Sequence, residues 1–176
     1  REHRYLLESN KIYEDEKERI KDILFCREDE VALKVAIKEL SEYLYRYFDR
    51  PVILLIDEYD VPIQSAYIND YYDEAINFLK TFYGATFKDN PYLEKTVLTG
   101  VSRVAKESIF SGANNFVVYT IMDNEFADDF GITEEEMDKV IEDFQIEDQK
   151  EEIRKWYDGY KIGDIEGIYN PWSILN

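Results

Sequence analysis

The sequence predicts an α/β fold, with a core of parallel strands followed by a small helical part. Two short apolar runs, VILLI at Val52–Ile56 and KTVLTGV at residues 95–101, have the length and composition of strands. Helical patterns precede the first run and lie between the two, and the order helix, strand, helix, strand is typical of α/β proteins. Of the 176 residues, 45% are hydrophobic and 15% aromatic, which predicts a folded chain with a substantial core.

Three helices are expected around these strands. Residues 14–26 form a charged pattern with an apolar edge, and residues 73–83 place their apolar side chains on one face. Between them, an apolar stripe steps by four and three residues through Leu33, Ile37, Leu40, Leu44 and Phe48. Pro51 ends this helix because proline disfavours helical angles in the residue before it.

The first strand is expected to be buried on both faces of a parallel sheet. Val52–Ile56 is continuously apolar and rich in branched residues, without the alternation of a half-exposed strand. The second strand follows turn residues at 89–91, and residues 116–120 could form a third short strand.

The C-terminal part is predicted to be helical. Thr133 and Glu136 have the spacing of a capping box for a helix that runs to about Phe144. A further helix is predicted over residues 148–157, ended by Asp158 and Gly159. We therefore expect two domains, residues 1–124 and residues 125–176.

Composition and charge exclude several classes of function. The 39 acidic residues outnumber the 21 basic ones, and a formal charge of −18 argues against direct binding of a nucleic acid backbone. No apolar run is long enough for a membrane span, and the single cysteine, Cys26, allows no internal disulfide. A cytoplasmic protein is expected. Because the chain starts at Arg1 without a methionine, we expect it to be a fragment of a longer parent.

An acidic cluster directly follows the first strand. Asp57, Glu58 and Asp60 come after VILLI, at the carboxyl end where ligands bind to open parallel sheets. Four hydrophobic residues followed by Asp-Glu have the form of a Walker B segment, in which the Asp holds Mg²⁺ and the Glu orients or deprotonates the attacking water. The alternative is a solvated turn that ends the strand.

Two polar residues near the second strand fit the same chemistry. Thr99 ends that strand and could contact a γ-phosphate or the attacking water, and Arg103 could approach the phosphates. Each also has an ordinary structural explanation, a strand-ending threonine and a surface salt bridge. The phosphate-cradling motif G-x-x-x-x-G-K-[ST] is missing, since none of the seven glycines is followed by lysine.

The segments LLIDEYDVP, VLTGVSRVAKESIFSGANN, WYDGYKIG and IYNPWSILN resemble, in order and spacing, the AAA-ATPase-like family of bacterial proteins. The resemblance covers roughly residues 30–176. It implies a P-loop NTPase core of the AAA type, a Walker A loop upstream of Arg1, and often a PD-(D/E)XK nuclease-like domain further along the parent.

The resemblance also implies roles for individual positions. Asp57 and Glu58 match the Walker B pair, as metal ligand and catalytic residue, while Thr99 matches the sensor position and Arg103 a candidate polar contact. Residues 111–115 and 156–160 match family segments without an assigned role. ATP and Mg²⁺ are the expected ligands of the parent chain, and this segment alone is expected to be inactive.

Three functions remain open from the sequence. The first is that the chain supplies the Walker B and sensor part of an ATPase. The second is a protein-binding or scaffold module with a vestigial Walker B, in which the tyrosine-rich helices bind another protein or a second copy of the chain. The third and weakest is a metal-dependent phosphodiesterase built on Asp57, Glu58 and Asp60, because no adjacent strand ends with the required lysine.

Overall fold

The computed structural model describes residues 2–25, 27, 30–101, 109–110 and 116–175. The chain divides into two compact units, Arg1–Phe116 and Val117–Asn176. Compact packing does not by itself establish domains, so the division into residues 1–124 and 125–176 stays a prediction. Within the described residues, no helix combines the length and apolar character needed to span a bilayer.

The first unit contains helices on either side of two strands along the chain. Its elements are a 3-10 helix at Glu2–Glu8, α1 at Glu14–Leu24, α2 at Glu30–Phe48, β1 at Val52–Ile56, α3 at Val61–Ile68, α4 at Tyr72–Phe87 and β2 at Leu93–Leu98. The three predicted helices and two predicted strands are confirmed. Helix α3 was not predicted, because Pro62 indicates a turn, whereas here it lies in the first turn of a helix, where its missing N–H costs nothing.

The two strands pair in parallel, which confirms the α/β character of this unit. The register sets Leu54 beside Thr96 and Ile56 beside Leu98, so both strands end at the same edge. The prediction that β1 is buried on both faces is wrong, because Ile53 and Leu55 are 57% and 71% exposed. Within the described residues the packed apolar clusters cover only the other face of the strand, where Ile56 packs.

A hydrophobic cluster of this unit lies directly beneath the strand ends. Ile63 of α3, Leu79 and Tyr83 of α4, and Ile109 are all at least 93% buried, and Ile56 packs against them. Each such side chain contributes about 1.5–3 kcal/mol on burial. The segment that follows β1 is therefore anchored through α3 in a well-packed core.

The second unit combines helices with a β-hairpin. Its elements are α5 at Glu134–Phe144, a 3-10 turn at Glu147–Gln149, α6 at Lys150–Tyr157, β3 at Asp158–Ile162, β4 at Ile165–Tyr169 and α7 at Pro171–Leu175. The capping box is confirmed, since the Thr133 hydroxyl accepts from the Glu136 amide at 3.3 Å and the Glu136 carboxylate accepts from the Thr133 amide at 2.9 Å. The core consists of Met137, Ile141 and Tyr169.

The prediction of a purely helical C-terminal part needs correction. Strands β3 and β4 form an antiparallel hairpin through Gly163, whose φ of +56° suits a residue without a side chain. Residues 116–120, which the sequence offers as a possible third strand, are not a strand.

Candidate functional site

The site lies where β1 and β2 end side by side. Asp57 follows β1 and Thr99 follows β2, and the last residues of the two strands, Ile56 and Leu98, are paired. Two backbone bonds continue the ladder past the strands: the Thr99 amide donates to the Ile56 carbonyl at 2.9 Å, and the Tyr59 amide donates to the Thr99 carbonyl at 3.0 Å. Thr99 is thereby bonded through its amide to the last residue of β1 and through its carbonyl to the segment after β1.

Asp57 and Thr99 are in direct contact through their side chains. The Thr99 hydroxyl donates a hydrogen bond to Oδ1 of Asp57. The same oxygen accepts from the Glu58 backbone amide at 2.9 Å. Hydrogen bonds to a charged acceptor are stronger than neutral ones, so these two donors fix the orientation of the Asp57 carboxylate while it remains exposed.

Glu58 has an unusual backbone conformation. Its φ of +53° lies in the left-handed region, which costs a residue with a side chain about 1–2 kcal/mol. The turn that contains it is closed by the Val61 amide, which donates to the Glu58 carbonyl at 3.0 Å. The Glu58 side chain is exposed. Strained backbone of this kind often occurs at functional sites, where the surrounding structure maintains it.

Asp60 does not share the exposed position of the other two acids. Only 1% of it is exposed, and its Oδ2 accepts a hydrogen bond from Nε2 of Gln64, one turn along α3, at 2.7 Å. Among the described residues, no three potential metal-ligating side chains come together. This geometry gives no support to a phosphodiesterase that uses all three carboxylates.

Gly100 is a packing residue that sequence reasoning missed. A Cβ at this position would lie 2.7 Å from Oδ1 of Asp60 and 2.7 Å from Cε1 of Tyr59, closer than real Cβ contacts. The Tyr59 ring in turn contacts Phe110, with ring centroids 5.6 Å apart. The sequence feature that could have indicated this close packing is the glycine directly after Thr99.

The structure therefore brings Asp57, Glu58 and Thr99 together. Arg103 and residues 111–115 lie outside the described residues. Trp156 lies in the last turn of α6 in the second unit, where it is 71% exposed.

A known protein family matches almost the whole of the first unit. The family model described as AAA-ATPase-like, predicted AAA-ATPase, matches residues 2–110. The segments WYDGYKIG and IYNPWSILN lie beyond that match.

One curated relative is an uncharacterized protein from the vnfD 5′ region of Azotobacter chroococcum mcd 1. It is 32% identical over 125 residues, which cover 70% of this chain and 24% of the relative. The chain thus spans about a quarter of the length of that relative. No solved structure was found to match the chain. Because the family match extends over more than half of its residues, the chain belongs to the AAA-ATPase-like family of predicted AAA-ATPases.

Proposed function

We propose that this chain supplies the Walker B pair and the sensor residue of an ATPase that hydrolyses Mg²⁺-bound ATP. The observation that carries the proposal is the hydrogen bond from Thr99 to Asp57 at the shared end of two parallel strands. Family membership supports nucleotide binding in general. In this proposal Asp57 holds the cation, Glu58 acts on the attacking water, and Thr99, as the sensor residue, orients the Asp57 carboxylate.

The donors at this site suit magnesium. Carboxylate and hydroxyl oxygens are hard ligands, and Mg²⁺ is usually held by one or two carboxylates, keeping several waters and binding substrate phosphates. Both hydrogen bonds to Asp57 use Oδ1, so Oδ2 is the atom we assign to the cation or to one of its waters. When bound, the cation would neutralise charge on the β- and γ-phosphates.

Glu58 is suited to a different task from its neighbour. The left-handed backbone of Glu58 turns the chain directly after Asp57, so the carboxylates of these two residues need not compete for one ligand. An exposed carboxylate can accept a hydrogen bond or a proton from water. We assign Glu58 the positioning or deprotonation of the nucleophile, and we assign Arg103 a contact with the phosphates.

The phosphate cradle has to come from elsewhere in the protein. No G-x-x-x-x-G-K-[ST] motif occurs in these 176 residues. We propose that another segment of a longer parent chain provides it, which the greater length of the Azotobacter relative supports. On this proposal the present segment alone binds ATP weakly and does not turn it over.

The test is ATP turnover by the full-length parent protein and its Glu58→Gln variant. Loss of the general base is expected to lower kcat by about 100-fold or more while nucleotide stays bound. Glu94→Gln is the matched control, because Glu94 is also exposed but lies at the opposite end of β2. Turnover by Glu58→Gln equal to that of wild type would refute the catalytic assignment.

A second candidate function is a protein-binding module with a vestigial Walker B. It is favoured by large apolar side chains that the second unit leaves exposed, among them Ile121 at 68%, Met122 at 82% and Trp172 at 75%. Ile121 and Met122 are adjacent in the chain, and neighbouring exposed apolar side chains are a common feature of protein interfaces. Two results together would favour this function: the wild-type protein does not turn over ATP, and it forms a stable complex with another protein in a pull-down that Met122→Asp abolishes.

A further inference from the structure

A buried carboxylate lies three residues beyond the proposed metal ligand. Asp60 is 1% exposed, although acidic residues are rarely buried without a specific reason. It immediately precedes α3, but its side chain makes no capping hydrogen bond to that helix. Capping, the usual role of an aspartate at this position, therefore does not explain its burial.

The two carboxylate oxygens of Asp60 contact α3 and the residues that follow β2. Its Oδ1 packs so closely against Gly100 that a Cβ there would lie at 2.7 Å, and its Oδ2 accepts from Gln64. The backbone amide of the neighbouring Tyr59 donates a hydrogen bond to the carbonyl of Thr99, the residue before Gly100. Residues 59 and 60 together therefore hold residues 99 and 100 from one side.

This arrangement has a consequence for the strained turn. Glu58 lies between Asp57 and Tyr59, and each of these two neighbours forms a hydrogen bond with Thr99. A left-handed non-glycine residue persists only where its surroundings keep it in place. With both neighbours attached to Thr99, the backbone of Glu58 can relax only if one of these two attachments opens, and the one through Tyr59 lies beside Asp60.

We propose that Asp60 is a positioning residue that locks the turn carrying Asp57 and Glu58 onto the end of β2. The carboxylate acts through its packing on Gly100 and its bond to Gln64, and it touches neither cation nor nucleotide. This inference rests on the proposed function, because the residues it positions are those assigned to ATP hydrolysis.

Hydrogen exchange tests the lock without relying on catalysis. In the full-length protein, Asp60→Ala is expected to raise the exchange rate of the Tyr59 amide about tenfold or more, because its bond to Thr99 opens more often. Asp60→Asn keeps the shape and an acceptor for Gln64, so its exchange should stay within about threefold of wild type. Glu74→Ala removes an exposed carboxylate of the same unit and is the control.

Turnover provides the second readout. If wild-type protein hydrolyses ATP, Asp60→Ala is expected to lower kcat about tenfold or more with KM for ATP unchanged, since small misplacements of catalytic groups are costly. Asp60→Asn is expected to restore most of this loss, which a general loss of folded protein would not allow.

The outcomes separate the two proposals. If the Tyr59 amide of Asp60→Ala exchanged at the same rate as in wild type, the positioning role would be overturned, whether or not ATP is hydrolysed. Absence of turnover in wild type, with Tyr59 exchange raised in the variant, would overturn the proposed function and leave the lock established.

If Asp60→Ala does not fold, Gln64→Ala takes its place, because Gln64 is exposed and its removal deletes the donor to Oδ2. Faster Tyr59 exchange in that variant supports the lock, and unchanged exchange overturns it.

Discussion

Replacing Gly100 with alanine adds one methyl group at a position of the site where neighbouring atoms leave no room for it. The new Cβ would lie 2.7 Å from Oδ1 of Asp60 and 2.7 Å from the Tyr59 ring, whereas real Cβ contacts stay above 3.0 Å. Asp60 is 1% exposed and cannot move into solvent without breaking its bond to Gln64. Overpacking of this kind costs about 1–3 kcal/mol.

The expected result is a lower melting temperature, measured by circular dichroism. For a chain of this size each kcal/mol shifts Tm by about 2–4 °C, so Gly100→Ala should melt roughly 2–12 °C below wild type. The same measurement in the presence of urea should give a lower midpoint with an unchanged slope.

The chain offers a control with the same chemical change and the opposite sign. Gly84 lies within α4, and a Cβ there meets no atom within 4 Å. Gly84→Ala should therefore stabilise the protein by about 0.4–1 kcal/mol, because alanine has fewer unfolded conformations than glycine. If Gly100→Ala were as stable as Gly84→Ala, the close packing of Asp60 and Tyr59 against β2 would be wrong.

Three further predictions concern the site and each of the two units. Thr99→Val removes the hydroxyl that donates to Asp57 and should lower turnover by the parent protein about tenfold, whereas Thr99→Ser should stay near wild type; equal rates in the two variants would contradict this. Gly163→Ala combines a φ of +56° with a Cβ 2.2 Å from Oδ1 of Asn124, so the second unit should lose about 1–3 kcal/mol, read from the fluorescence of its two tryptophans during urea unfolding. Burial, reinforced by nearby carboxylates, raises the pKa of Tyr43 to about 12. Since the unfolded value is about 10, wild type should lose stability from about pH 10 to pH 12, and Tyr43→Phe should lose less over that interval.

Much of the first unit could be predicted from local patterns. The apolar stripe of α2 and the continuous apolar run of β1 are properties of single segments, and both elements are found within a few residues of their expected bounds. The parallel pairing followed from the alternation of helices and strands. The exposure of one face of β1 could not be predicted in the same way, because the apolar composition of a strand does not determine which elements are available to cover it.

Other features depend on information that the pattern gives only weakly. Helix α3 was missed because Pro62 fits a turn and the first turn of a helix equally well. The hairpin was missed although Gly163 and Asp164 form a two-residue turn signal, because the flanking strands alternate too little to stand out. In each case the deciding factor is tertiary packing, on the cluster around Ile63 or on the core around Tyr169.

The candidate site was predictable in its location and incompletely in its contacts. Parallel strands end at one edge, so the proximity of Asp57 and Thr99 follows from the fold class. The hydrogen bond between them did not follow, since a sensor threonine was expected to face phosphate or water. Nor did the burial of Asp60, because an acidic residue after a strand is most often solvated.

The three acids of the DEYD segment differ in environment because one tight turn separates them. Asp57 continues the direction of β1 and meets the neighbouring strand end, Glu58 is turned into solvent by its left-handed backbone, and Asp60 enters the packed interior at the start of α3. Like charges placed side by side would repel, and burying all three would be prohibitive. The segment therefore places its acids in a hydrogen-bonded, a solvated and a packed position, an arrangement compatible with the metal ligand, the base and the positioning residue that we propose. The left-handed backbone of Glu58 accompanies that separation. The hydrogen bonds of Asp57 and Tyr59 to Thr99, and the packing of Asp60 on Gly100, connect this turn to the residues that follow β2.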